Sequence, residues 1–155
     1  MLGRVRLLLL LLALAVVALA VPASAVSITH FTSPSGNIDC LGFTAPAPSV
    51  DCLVQKAAWP RLPRRPANCD LDWSATEVRI FNRHVRLGSC RGDIGPLCVA
   101  SGAPRCHVLP YGGSATIGSI RCTSRRSGVT CRTRRGRGVG FEVAREGYRI
   151  FGASK

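Results

Sequence analysis

Three histidines, His30, His84 and His107, are the side chains of this chain best suited to exchanging protons near neutral pH. They stand far apart, and no two have the spacing of a metal-ligand pair. A zinc centre needs three or four ligands in tetrahedral array, so neither a metal nor any other cofactor is expected. Nucleophilic chemistry is equally short of parts. There is no Gly-x-Ser-x-Gly elbow for a serine hydrolase. The eight cysteines form an even set, which leaves no spare thiolate for a cysteine nucleophile. A small hydrolase of phosphodiesters or glycans could be assembled from His84, Glu77, Glu142 and Glu146, with Arg79 set against phosphate. No spacing requires that assembly, and no catalytic residue is assigned. Asp70 and Asp72 would share one face of an extended strand, in the manner of a glycosidase pair or a calcium ligand set. Neighbouring arginines are their more ordinary partners.

The clearest chemical signal is cationic. The 155 residues include 19 Arg and 2 Lys against 8 acidic residues, a formal net charge of +13. Seven arginines and no acid fall between Arg121 and Arg137, densest at Arg132-Thr133-Arg134-Arg135-Gly136-Arg137. Guanidinium forks match phosphate and carboxylate geometry, and such a field draws anionic surfaces. Arg132, Arg134, Arg135 and Arg137 are therefore the candidate anion-binding residues, on a glycine-flanked loop able to wrap a polyanion. The competing reading is a solvated basic face that reflects an arginine-rich composition. Sequence-specific nucleic-acid binding is not expected, since recognition motifs and aromatic interleaving are both missing.

These residues need a frame, and the N-terminus says where it operates. Residues 1–25 carry Arg4 and Arg6, then fifteen apolar residues from Leu7 to Val21, then Pro22 and the small-x-small triplet Ala23-Ser24-Ala25. That is the order of a cleaved signal peptide, and its core is short for a bilayer span, which takes about 20 residues. An uncleaved N-terminal anchor is the alternative. Loss of the leader removes two arginines, lowers the formal charge to +11 and leaves a single domain over 26–155 with no transmembrane segment. All eight cysteines lie in that mature part, outside the reducing cytosol, and four disulfides are expected. With five Phe, two Trp and two Tyr, the core is modest and gains from covalent staples.

Short alternating segments with Gly and Pro punctuation run through the chain. Strands are expected over 26–31, at Ile38/Cys40, at Val50/Cys52/Val54, at Ile120/Cys122, at Val129/Cys131, over 139–143 and over 148–151, with shorter ones over 97–100 and 107–111. The Cys40 and Cys52 strands read as one stapled hairpin, and Cys122 and Cys131 as another. Closing about ten residues in this way contributes roughly 3 kcal/mol in the loop-entropy account. Residues 57–68 should be irregular and pinned by Trp59. Residues 76–87 fit either a strand, which is preferred, or a short helix. Gly36-x-Ile38-x-Cys40 is echoed by Gly118-x-Ile120-x-Cys122, which suggests one stapled-hairpin solution used twice. No segment is a clear helix. The fold class is all-β, a small disulfide-stapled antiparallel sandwich or barrel with long irregular loops.

Many separated anchors also carry a likeness. They are Phe31-x-Ser33-Pro34-Ser35-Gly36-Asn37-Ile38-x-Cys40, Cys52, Trp59-Pro60, Cys69, Asp72-Trp73, Cys90-x-Gly92-Asp93, Leu109-Pro110-Tyr111-Gly112, Gly118-x-x-x-Cys122-x-Ser124, Gly128-Val129-Thr130-Cys131, Gly138-x-Gly140-Phe141 and Arg145-Glu146-x-Tyr148-Arg149. The pattern covers nearly all of 30–151. It resembles a family of small secreted actinobacterial proteins with a domain of unknown function. The resemblance implies export and one disulfide-bonded domain, and brings no activity with it. It also implies nearest-neighbour bridging, 40–52, 69–90, 98–106 and 122–131, with Cys98–Cys106 an added pair, out of the 105 pairings that eight cysteines allow. Ser74 and Ile94 depart from the pattern, where Gly and Thr are expected.

The resulting expectation is a non-enzymatic, secreted or envelope-located basic domain that contacts an anionic wall polymer, polysaccharide, lipid head group or acidic protein. A small secreted hydrolase is one alternative. An inhibitor or protein-interaction module is another, its sign being an exposed apolar patch around Trp59 and the prolines. The exported protein, denatured without reductant, should give no reaction with a thiol reagent; several titrating thiols in folded material would refute the disulfide framework.

Overall fold

The computed structural model describes residues 26–92, 106–134 and 138–152. The expected leader 1–25 and the expected strand over 97–100 lie outside them. Among the described residues there are eleven strands and no helix. The first sheet holds β1 (Ile28–Thr32), β2 (Ile38–Phe43), β3 (Ser49–Val54), β4 (Asp72–Phe81) and β5 (His84–Arg91) as an antiparallel meander. The short β6 (His107–Val108) pairs in parallel with the free edge of β1. The second sheet is another five-strand antiparallel meander: β7 (Ser114–Ile117), β8 (Ile120–Arg125), β9 (Gly128–Thr133), β10 (Gly140–Val143) and β11 (Tyr148–Phe151).

The two sheets face each other across one core, so the fold is a sandwich and not a barrel. Period-two alternation decides what enters it. Ile38 and Cys40 on β2, Val50, Cys52 and Val54 on β3, and Val78 and Ile80 on β4 point inward from the first sheet. Ile120 and Cys122 on β8, Val129 and Cys131 on β9, and Phe141 and Val143 on β10 point inward from the second. Gly42 of β2 shows how close the layers come, since a Cβ there would lie 2.7 Å from the Ile117 side chain of β7.

Cys40 stands directly opposite Cys52, and Cys122 directly opposite Cys131; both pairs are bridged at the centre of the core. A third bridge ties Cys69, just ahead of β4, to Cys90 on β5. These are three of the four pairs that the resemblance implied. Cys106 is disulfide-bonded as well, and the expected 98–106 pairing involves a residue outside those described. The repeated Gly-x-Ile-x-Cys opens the second strand of each meander and crosslinks it to the third, so the same stapled hairpin is indeed built twice.

Three expectations change. Residues 76–87 form parts of two strands joined at Asn82-Arg83, not one. Both turn residues have positive φ, 48° and 64°, as a two-residue hairpin turn of the primed type requires. Asn adopts that region readily and Arg does not, so the usual glycine signal is missing. Strand β7 was not expected, because Ser114-Ala115-Thr116-Ile117 has one large apolar residue. The strand expected over 107–111 stops at Val108; Leu109 is buried beyond it and Pro110 begins a turn. The irregular 57–68 segment is fixed as anticipated. Trp59 donates its indole N–H to the Ala144 carbonyl at 2.8 Å, and Arg65 donates to the carbonyls of Cys69 and Leu71.

The outward face of the first sheet is unusual in burying acids. Asp39 accepts from the Gln55 side chain at 2.6 Å, Asp51 is bonded by Arg79, and Glu77 is held by Arg91 at 3.0 Å. Glu77 is 1% exposed, and its Oε1 has no hydrogen-bond partner among the described residues. Burial raises its pKa above the ordinary carboxylate value, against the pull of the Arg91 guanidinium. A raised folded-state pKa means that the carboxylate's contribution to stability is fullest in acid and is lost as pH rises through that pKa.

Two outcomes follow from this packing. Arg91→Met should destabilise by about 3 kcal/mol near neutral pH, since it leaves a buried charge without its partner, and the loss should shrink in mild acid as Glu77 takes up a proton; a pH-independent loss in chemical denaturation would contradict this. Gly140→Ala should lower the denaturation midpoint by an amount equivalent to about 1–3 kcal/mol, because its Cβ would lie 2.1 Å from the Cys131 carbonyl oxygen and 2.7 Å from the Phe151 ring. Gly147→Ala, with open space around the new methyl, is the matched control and should change little.

Candidate functional site

Inward placement of Ile120, Cys122, Val129 and Cys131 forces their neighbours outward. Arg121, Thr123 and Arg125 of β8 and Thr130 and Arg132 of β9 therefore share the outer face of the second sheet. Cross-strand register arranges them in rows. One row runs Thr116, Arg121, Arg132, Gly140, Phe151; the next runs Ser114, Thr123, Thr130, Glu142, Arg149. Neighbouring strands lie about 4.8 Å apart, so Thr116, Arg121 and Arg132 of the first row and the whole of the second present polar heads at close, regular intervals.

Local bonds set the arginine heads. Arg121 donates to the Ser114 hydroxyl at 3.2 Å, and that hydroxyl lies 3.2 Å from Thr123 Oγ1. The Arg132 guanidinium lies over the Phe151 ring, 3.7 Å from its centroid. Gly140, which stands between them in the row, leaves room for the ring to reach. Arg149 donates to Glu142 Oε2 at 2.6 Å. A shallow depression of about 440 Å³ crosses this face, and Arg134 stands beside it just past β9. Five arginines line the depression against one carboxylate, Glu142, which is already paired.

Of the four arginines singled out in the sequence, Arg132 lies on this face and Arg134 at its margin; Arg135 and Arg137 lie outside the described residues. The hairpin expected for Cys122 and Cys131 is present, and Arg132 projects from its strand β9 rather than from the glycine-flanked loop expected to carry it. Arg121, Arg125 and Arg149 were missed as site residues. For Arg121 and Arg125 the signal was available: once Ile120 and Cys122 face inward, parity sends Arg121, Thr123 and Arg125 outward, whereas Arg149 joins only through the pairing of β10 with β11.

The other candidates disperse. His84 is exposed beside the β4–β5 turn, in a depression with Arg79 and Arg86 and no carboxylate. Glu77 is buried on the first sheet, Glu142 belongs to the second, and Glu146 sits in the turn between β10 and β11. His30 on β1 and His107 on β6 flank Phe31 and make no ion pair among the described residues. Among the described residues, no group of three or more His, Cys, Asp or Glu is placed to hold a metal ion. Asp70 and Asp72 make no ion pair among the described residues; Arg91, opposite Asp72, turns to Glu77 instead. Leu62 and Leu71 near the prolines are exposed, but Trp59 itself is buried. It is 7% exposed, hydrogen-bonded through its indole and packed on Tyr148 at 4.8 Å.

Among the described residues, no helix is long and apolar enough to cross a membrane. Comparison with curated proteins and with solved structures gives no match. The sequence signature of a family of unknown function, DUF6636, matches residues 7–151, nearly the whole length. A two-sheet sandwich with bridged hairpins and an arginine-lined outer face is thus the form taken here by a chain that belongs to the DUF6636 family of unknown function.

Proposed function

We propose that this protein is an exported, non-enzymatic domain whose second sheet binds a linear anionic polymer of the envelope or extracellular space, one bearing phosphate or carboxylate groups. The observation that carries the reading is the outer face of β8–β11, where five arginines meet a single, already neutralised carboxylate. Guanidinium groups in ranks suit repeating anions, and the threonine and serine hydroxyls between them can meet hydroxyls of a sugar or polyol chain. The depression is shallow, and among its described residues the face presents no bare apolar side chain for insertion into lipid, which favours a polymer over a bilayer surface. Export is supported by the leader-like residues 1–25, and by bridges that persist in an oxidising compartment.

Retention on heparin and on an anionic wall preparation tests this, with net charge held constant between variants. Replacing Arg121, Arg132, Arg134 and Arg149 by Gln should shift elution to clearly lower salt and weaken binding by about tenfold or more, since each exposed charge contact contributes up to about 1 kcal/mol. Replacing Arg61, Arg64, Arg83 and Arg86, exposed residues away from this face, removes the same charge and should shift elution much less. Equal shifts for the two quadruple variants would show that bulk charge alone is being read, and would overturn the site.

A further inference from the structure

A second cleft, of about 440 Å³, lies at one open end of the sandwich. It has no counterpart in the sequence reading, because five separate chain segments build it. The β1–β2 turn supplies Ser33, Ser35 and Asn37; Lys56 follows β3; Tyr111 precedes β7; the β8–β9 turn brings Arg126; the β10–β11 turn brings Arg145. Arg125, at the end of β8, borders both this cleft and the flat face.

Its walls are fixed by bonds that leave its cations without ion pairs among the described residues. Ser33 Oγ accepts from the Ile38 N–H at 3.1 Å and lies 3.1 Å from Ser35 Oγ. Asn37 Oδ1 accepts from the Lys56 N–H at 2.8 Å, which ties the first turn to the segment after β3. The Ala58 N–H donates to the Arg145 carbonyl at 2.7 Å, tying that segment to the second sheet. Gly112 and Ser124 bond through their backbones and hold the turn that carries Tyr111, over which the Arg126 guanidinium lies 5.2 Å from the ring centroid. Lys56, Arg125, Arg126 and Arg145 make no ion pair among the described residues, and the cleft's one acid, Glu146, makes none either. Four unneutralised cations, serine hydroxyls and an amide thus converge on a preformed space in the size range of small-ligand sites.

We propose that this cleft is a binding site for one small anionic polyhydroxylated unit, a sugar or polyol that carries phosphate or carboxylate. The cations hold its charged group, and Ser35, Ser127 and Asn37 meet its hydroxyls. The rigid walls lower the ordering cost of binding. The site stands on its own observation and does not depend on polymer binding by the flat face.

Titration of the folded protein with glucose 6-phosphate, glucuronate and uncharged glucose tests it, followed by amide shifts and calorimetry. The two anions should bind, moving the amides of 33–37, 56, 126–128 and 145, and glucose should bind far more weakly. The Lys56→Ala/Arg145→Ala variant, which alters exposed side chains only, should keep its denaturation midpoint and lose about tenfold or more in affinity for the anions, as expected when two charge-assisted hydrogen bonds are removed. The Arg121/Arg132/Arg134/Arg149 variant should keep that affinity, which separates failure of this site from failure of the flat face. Equal binding of glucose, equal binding by the double variant, or no binding of either anion at millimolar concentration would overturn the proposal. Competition separates the sources of the unit. Displacement of the protein from a wall preparation by glucose 6-phosphate indicates a unit borne on a chain, unchanged retention a free molecule, and either result upholds the site.

Discussion

Two bridges between directly opposed strands, Cys40–Cys52 in one sheet and Cys122–Cys131 in the other, lock the register on which every face of this molecule depends. Side chains alternate strictly along a strand, so a slip of one residue exchanges the two faces. In β8 and β9 such a slip would drive Arg121, Arg125 and Arg132 into the core and expose Ile120, Val129 and Cys131. Hydrophobic burial opposes it, but the apolar set is small. The bridges oppose it covalently, at residues that are themselves fully buried. The basic face and the core thus have one origin, two sides of the same pinned ladder.

The distribution of acids completes that arrangement. The chain has only 8 carboxylates, and three of them, Asp39, Asp51 and Glu77, are buried on the outer face of the first sheet, each tied to a neighbouring side chain. There they satisfy partners at short range and contribute little field beyond the sheet. The second sheet retains Glu142 against five arginines. Its positive field results from where the acids are spent as much as from where the arginines stand, and the uncompensated cations at the sandwich end extend it round the β8–β9 turn.

The layout of this fold was legible to the degree that it is local. Alternation through Ile38/Cys40, Val50/Cys52/Val54 and Ile120/Cys122 located core strands, because buried strands of a two-layer fold have to alternate. The 40–52 and 122–131 bridges could be read because a hairpin brings its own cysteines together, whereas 69–90 was implied only by the family resemblance. Asn82-Arg83 hid a turn, since an arginine at positive φ is held there by strands already paired and leaves no compositional trace. Residues 114–117 hid a strand, since an edge position asks little of its side chains. Sandwich against barrel was undetermined because layer closure is a long-range property. The basic face was half visible: the arginine run stood out, while Arg149 joins it only through the register of β10 and β11. The end cleft was not visible at all, for its five contributors are scattered from Ser33 to Arg145 and meet only through turn geometry.

Arg132 and Arg149 keep their positions by different means, and ionic strength separates them. Arg149 leans on Glu142, an attraction that dissolved ions screen. Arg132 rests on the Phe151 ring, where contact area and the ring quadrupole act at a range too short for mobile ions to enter. In brackish surroundings the first head is loosened and the second stays in place, so the sheet keeps one aimed cation when its ion pair has weakened. The missing side chain at Gly140 is what allows that salt-tolerant perch.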